Sequence, residues 1–252
     1  MQILILIKKA LNIRLPKNQS PKLKTLKQKE LKSKTEEELK KKQEEEELKK
    51  KQQLKNTLLN DLKNSIETAN EHKEKYKKRM KEEPEEQYGV QAFKVLNWGP
   101  GTEDVSANTE RSIRFRRHTY TILSVLDIDE LKEFSDIILL ATEENILGAF
   151  SSLGGVLDTA SDHLHPKKDK LNNLDISDLK TLKNSFDKIL SIIETVSAMS
   201  KQLILDYENN KDLIKTDINK LKSHVKKLHN QFREKAHEAY NLKEFIVSTY
   251  NP

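Results

Sequence analysis

Residues 175–207 read DISDLKTLKNSFDKILSIIETVSAMSKQLILDY, and the spacing of their apolar positions decides the fold class. Leu179, Leu182, Phe186, Ile189, Ile193, Val196, Ser200, Leu203 and Tyr207 follow one another at steps of three and four without a slip. That rhythm lays one face along an α-helix; a strand would alternate every second residue. Asp175 or Ser177 supplies the cap, because a short polar oxygen can accept the first unpaired backbone N–H groups. Asn209-Asn210 interrupts the pattern, and a last helix is expected from Asp212. There Ile214, Ile218, Leu221, Val225, Leu228, Phe232, Ala239, Leu242 and Ile246 keep the same steps, with Lys235 the one defect. A seam of about 33 residues is roughly 50 Å long at 1.5 Å per residue. Such a length outruns a domain of this size, so part of the seam is expected to meet a second copy of the chain in a homodimer.

Further helices precede this pair. Residues 145–164 hold Gly148, Ala149, Gly154, Gly155 and Ala160. Each glycine costs a helix about 1 kcal/mol relative to alanine, so the cluster means either a break or the close approach of a neighbour. Asp127 followed by Glu130 is a capping box, opening a helix with Ile128, Leu131, Phe134, Ile137, Ile138 and Leu140. Another helix begins near Asn108 or Thr109 and carries Arg111, Arg114, Arg116, Arg117 and His118, for which salt bridges to adjacent acidic helices are expected. From Leu54, apolar residues recur at Leu59, Leu62, Ile66, Ala69, Tyr76 and Met80, interrupted at Lys73. Glu82-Glu83-Pro84 ends that helix, and Pro84 suits the first turn of one carrying Tyr88, Ala92, Phe93 and Leu96. Trp98-Gly99-Pro100-Gly101 closes it as a turn.

The composition agrees with an all-α helical bundle of about six to seven helices with a long C-terminal helix. Only six glycines and six prolines occur in 252 residues, and charged residues (34%) nearly equal apolar ones (35%). Thin helix-on-helix seams fit that balance better than one thick core. Residues 1–53 read differently from 54–252. Lys17 to Lys55 is a low-complexity Lys/Glu/Gln run whose leucines are too sparse for a packed face, so a solvated, flexible tether or frayed helix is expected. The net charge of +6 does not point to nucleic acid. Met1 to Lys55 holds 17 Lys/Arg against 8 Glu, leaving 29 Lys/Arg against 32 Asp/Glu in the helical part. A nucleic-acid-binding domain concentrates its positive charge on the fold.

Little in the chain suggests catalysis. Without cysteine there is no disulfide, thiolate metal site or thiol nucleophile. No P-loop, G-x-G-x-x-G, H-E-x-x-H, EF-hand loop or G-x-S-x-G elbow occurs. His163 and His165 are too few for a metal site, and His224, His229 and His237 fall on different faces of the last helix. No cofactor, no metal and no enzymatic activity are expected. The run Ile3 to Ile7 precedes Lys8-Lys9, the reverse of a secretory signal, and nothing approaches the roughly 18 apolar residues of a membrane span.

Four stretches carry a resemblance: LLNDLKNSIETANEHKEKYKKRMKEEPEEQYGVQAFK (58–94), TERSIRFRRHTYTILSVLDIDELKEFSDIILL (109–140), DISDLKTLKNSFDKILSI (175–192) and LDYENNKDLIKTDINKLKSHVKKL (205–228). They resemble the paralogous family 54 surface lipoproteins of Lyme-disease Borrelia, among them a complement regulator-acquiring surface protein that binds factor H. The resemblance implies a helical domain displayed on the outer membrane surface behind a tether. It also implies a homodimer through the C-terminal helix and, as partner, a host serum protein: factor H and its relatives, terminal complement components C7 and C9, or plasminogen. A helical structural or adhesion protein without a complement ligand is the alternative. Matched to the family's dimer contact are Leu228, Phe232, Leu242, Phe245 and Ile246, with Ile218, Leu221 and Val225 continuing the seam and Tyr250 at the ligand-sensitive end. The family's lipobox cysteine has no counterpart in this sequence, so contact with a membrane is expected only through a lipid anchor that the sequence does not display.

Overall fold

The computed structural model describes residues 21–99 and 101–250, with side chains from Lys34 onward. The apolar run Ile3 to Ile7 and Pro100 lie outside the described residues. Seven α-helices make up the described chain: α1 (Pro21–Lys81), α2 (Ala92–Val95), α3 (Glu110–Ile122), α4 (Ile128–Leu140), α5 (Ile146–Leu164), α6 (Ile176–Glu208) and α7 (Ile218–Thr249). The chain divides into two compact units, Met1–Leu54 and Lys55–Pro252. In the first, residues expected to be a tether or frayed helix are helical from Pro21. Side chains 36–38 and 40–54 there are exposed, leaving i,i+4 pairs such as Lys41 with Glu37 (3.5 Å) as local support.

Among the described residues everything buried belongs to the second unit, in which α5 is the central element and touches α3, α6 and α7. Leu147, Phe150, Leu153, Leu157, Ala160 and Leu164 are all buried along it. The glycines do not break it. A Cβ on Gly154 would fall 2.5 to 2.7 Å from Cβ, Cα and the carbonyl oxygen of His118, so Gly154 is where α3 crosses closest. Gly148, by contrast, faces open space.

Capping agrees with the sequence at two helix starts. Asp127 accepts from the Glu130 N–H (2.9 Å) while Glu130 accepts from the Asp127 N–H (3.0 Å). Asp175, rather than Ser177, caps α6, and Asp217 caps α7 by accepting from Asn219 (2.9 Å). The last helix therefore begins later than Asp212. Asn210, Asp212 and Leu213 take left-handed backbone angles, and the Asn210 side chain accepts from the Lys215 N–H at 2.9 Å. That loop still drops Ile214 into the core, so the apolar rhythm begins ahead of the helix itself.

A second departure lies at 84–96, where one helix was expected. Gln87, Tyr88 and Gly89 all have positive φ, and only Ala92–Val95 is α-helical beyond them. Gly89 fits against the Lys132 stem, which a Cβ would meet at 3.3 Å, and the buried Gln87 amide donates to the Ser106 carbonyl at 2.7 Å.

Candidate functional site

Lys73, the interruption in the apolar face of α1, is buried and paired with Asp162 of α5. One turn back along α5, Asp158 accepts from Arg117 and lies 3.0 Å from His118 Nε2. Burial alone would raise the Asp158 pKa. The His118 hydrogen bond and the Arg117 charge outweigh it and hold the carboxyl below its ordinary range. Arg116 is buried deeper still, with Glu83 gripping it through Nε and Nη2 (2.7 to 3.1 Å) and the Val105 and Ala107 carbonyls through Nη1. Tyr120 donates to the same Glu83 at 2.9 Å. Burial and that neighbouring carboxylate push the phenol far above its usual pKa. Arg111 pairs with Glu103 at 2.7 Å and lies over the Trp98 ring at 4.8 Å. Three of the four arginines of this helix, Arg111, Arg116 and Arg117, are therefore spent on ion pairs, as the acidic neighbours suggested, and Arg114 is not among them. Within this cluster His118 Nε2 lies between Asp158 and Arg117, at 3.0 and 3.1 Å.

Three further histidines also meet local acceptors. His163 contacts the Tyr250 carbonyl, His165 lies 3.2 Å from Glu67, and His229 lies 2.9 Å from Glu143. Among the described residues no group of three or more His, Asp or Glu could hold a metal, and no helix is long and apolar enough to cross a membrane.

The residues expected at a dimer or ligand contact divide sharply. Leu221, Val225, Leu228, Phe232, Ile246 and Tyr250 are buried within one chain, Leu242 is half-buried, and only Ile218 (48%) and Phe245 (38%) are exposed. The seam finds its partners inside the chain. His229 to Glu143, Phe232 to Phe150 (5.2 Å between ring centroids) and Tyr250 to His163 set α7 parallel to α5. Lys188 with Glu238 (3.4 Å) and Asp206 with His224 (4.0 Å) set it antiparallel to α6. A helix as long as α7 thus exists within the domain, and the expectation that the seam's length demands a second chain loses its premise.

What α7 leaves to solvent is an open groove of about 490 Å³ against the N-terminal half of α5. Gly148, Ala149 and Ser152 form its small-residue side; His229, Arg233, His237 and Tyr240 form the other. No residue of α5 had been singled out for a site. The signal lay in an unbroken helix keeping a glycine, Gly148, that its own packing does not require.

The family model described as "Borrelia Bbcrasp-1 domain containing protein" matches residues 77–251. BSE31 from the Lyme disease agent Borrelia (Borreliella) spielmanii is 50% identical, with a TM-score of 0.76 and coverage of 78% of this chain and 100% of that one. The Borrelia burgdorferi outer surface lipoprotein BBA64 (21% identity, 77% and 98% coverage, TM-score 0.64) shares the fold. So does the outer surface protein BBA66 of the same species (18% identity, 76% and 99% coverage, TM-score 0.62). No curated protein matches.

Proposed function

We propose that this chain, which belongs to the Borrelia Bbcrasp-1 domain family of helical outer surface proteins, is displayed on the cell surface and works there by binding a host serum protein in complement evasion. The observation that carries the reading is the family match across 77–251, nearly the whole packed unit. The resemblance supplies the partners: regulators of the factor H type, the terminal components C7 and C9, or plasminogen. The site geometry favours binding over catalysis, because its buried ionisable groups are paired with one another and the accessible chemistry is a solvated helical surface. Capture from human serum by the immobilised full chain, followed by mass spectrometry of the eluate, tests it. Retention of one of those proteins is expected; absence of all of them rejects the reading in favour of a structural or adhesion role. Surface display is tested separately by labelling intact cells with a membrane-impermeant reagent, and protection until lysis rejects it. A pairing of two copies through α7, which the resemblance implies, would have to use the exposed Ile218, Tyr240 and Phe245 rather than the buried seam. Sedimentation of the full chain as a monomer at micromolar concentration rejects that pairing.

A further inference from the structure

After its capping Asp217, α7 runs to Arg233 with Lys220, Lys222, Lys226, Lys227 and Arg233 and without a single acidic residue. Lys222, Lys226, Arg233 and His237 are spaced four, seven and four residues apart, which at 100° per residue gathers them on one edge of the helix. All four are exposed, and none has an ion-pair partner among the described residues. The row is about 22 Å long at 1.5 Å per residue. Of the nearby acidic side chains, Glu238 pairs with Lys188 on the α6 side and Glu143 with His229, while the exposed Glu234 lies about 60° around the helix from His237, at the flank of the row. Like charges one turn apart weaken a helix, so the row opposes folding rather than assisting it. Along its C-terminal half runs the open groove beside Gly148 and Ser152, where a Cβ on Gly148 would meet nothing within 4 Å.

We propose that this edge of α7, together with the groove against α5, binds a linear sulfated polysaccharide. A narrow, straight row of fixed cations matches a polymer bearing anionic groups at regular intervals, and binding is driven by release of the polymer's condensed counterions. Three features select this polyanion over others. Between Lys222 and His237 there is no exposed large apolar side chain to enter a lipid surface. Tyr240, the aromatic at the row's end, has Lys243 over its ring at 4.0 Å and is a poor platform for a base. Finally, choosing a polysaccharide over nucleic acid rests on the surface display proposed above, where sulfated chains are the polyanions to be met.

The test uses the full chain with heparin as probe. Hyaluronate (unsulfated), duplex DNA and phosphatidylglycerol vesicles serve as the competing polyanions. One variant combines Lys222→Ala, Lys226→Ala and Arg233→Ala. A control combines Lys94→Ala, Lys170→Ala and Lys180→Ala, which removes the same charge from exposed positions elsewhere. All six side chains are exposed, and circular dichroism checks that both proteins keep their helix. The logarithm of heparin affinity should fall linearly with the logarithm of salt concentration, and the affinity should drop about tenfold or more in the α7 variant and change less than about threefold in the control. Equal loss in the two variants, or no loss in the α7 variant, overturns the proposal. Hyaluronate, DNA or vesicles binding as tightly as heparin overturns it as well. Intact-cell labelling reads surface display without reference to α7, so failure there is distinguishable from failure of the site.

Discussion

Alanine at Gly148 and alanine at Gly154, both on α5, should move stability in opposite directions. Each replacement brings the same gain in helix propensity, about 1 kcal/mol. At Gly148 the new methyl meets nothing within 4 Å, so the gain stands whole. For a unit of this size it corresponds to a rise in Tm of about 2–4 °C. At Gly154 the same methyl would lie 2.5 Å from His118 Cβ, 2.6 Å from its Cα and 2.7 Å from its carbonyl oxygen. Two of those atoms are backbone, so no rotamer change relieves the overlap, and α3 must move off α5. Overpacking of this kind costs about 1–3 kcal/mol and occasionally more. Moving α3 also loosens the bonds from Arg117 and His118 to Asp158. The expected net result for Gly154→Ala is the overpacking cost less that propensity gain, a loss of about 0–2 kcal/mol to which the loosened bonds add, against a gain of up to about 1 kcal/mol for Gly148→Ala. Urea titrations followed by circular dichroism measure both. A Gly154→Ala protein as stable as the Gly148→Ala protein would refute the close crossing of α3 on α5.

Phe232→Ala should cost about 3–5 kcal/mol as a truncation in the core, and Phe245→Ala less than about 0.5 kcal/mol; equal effects in the same titration would contradict the burial of the seam. Leu228→Asp should unfold the packed unit instead of releasing folded monomers, which sedimentation and circular dichroism together distinguish. Glu83→Gln leaves the Arg116 guanidinium buried without its counter-charge, and a loss of about 3–5 kcal/mol is expected; a loss under 1 kcal/mol would mean that the Val105 and Ala107 carbonyls suffice. The Asp158 carboxyl is depressed in the fold, so its stabilising contribution is complete above the unfolded value of about 3.9 and is lost as pH falls through the lower folded value. Asp158→Asn should therefore show a shallower loss of urea midpoint between pH 5 and pH 3 than the parent, and parallel curves would count against the pairing.

The helices of the packed unit were legible because their apolar steps are local properties. The 3-4 rhythm in α6, the Asp127–Glu130 capping box and the turn after Leu96 all appear where the residues put them. What escaped was set by contacts between distant segments. The break at Gln87–Gly89 depends on Lys132 and Ser106, and the late start of α7 depends on Asn210 closing a loop around Ile214. The seam was read correctly as a seam. Periodicity says that a face is covered, never by which chain, and most of this seam is buried within one chain. For the same reason Gly154 and Gly148 looked alike until His118 separated them. At the candidate site the cationic row on α7 was present in the sequence at helical spacing, but net charge summed over the whole helical part concealed it. The small-residue side of the groove comes from α5 and is joined to that row only by the packing of the two helices.

The central claim, that this family member acts by binding a host serum protein, is tested most directly by titrating the full chain against purified human factor H, C7, C9 and plasminogen in a surface-based binding assay. Saturable binding of at least one of the four, retained when the buried seam is left intact, is the predicted result. Four flat titrations with a chain that is folded by circular dichroism would contradict it.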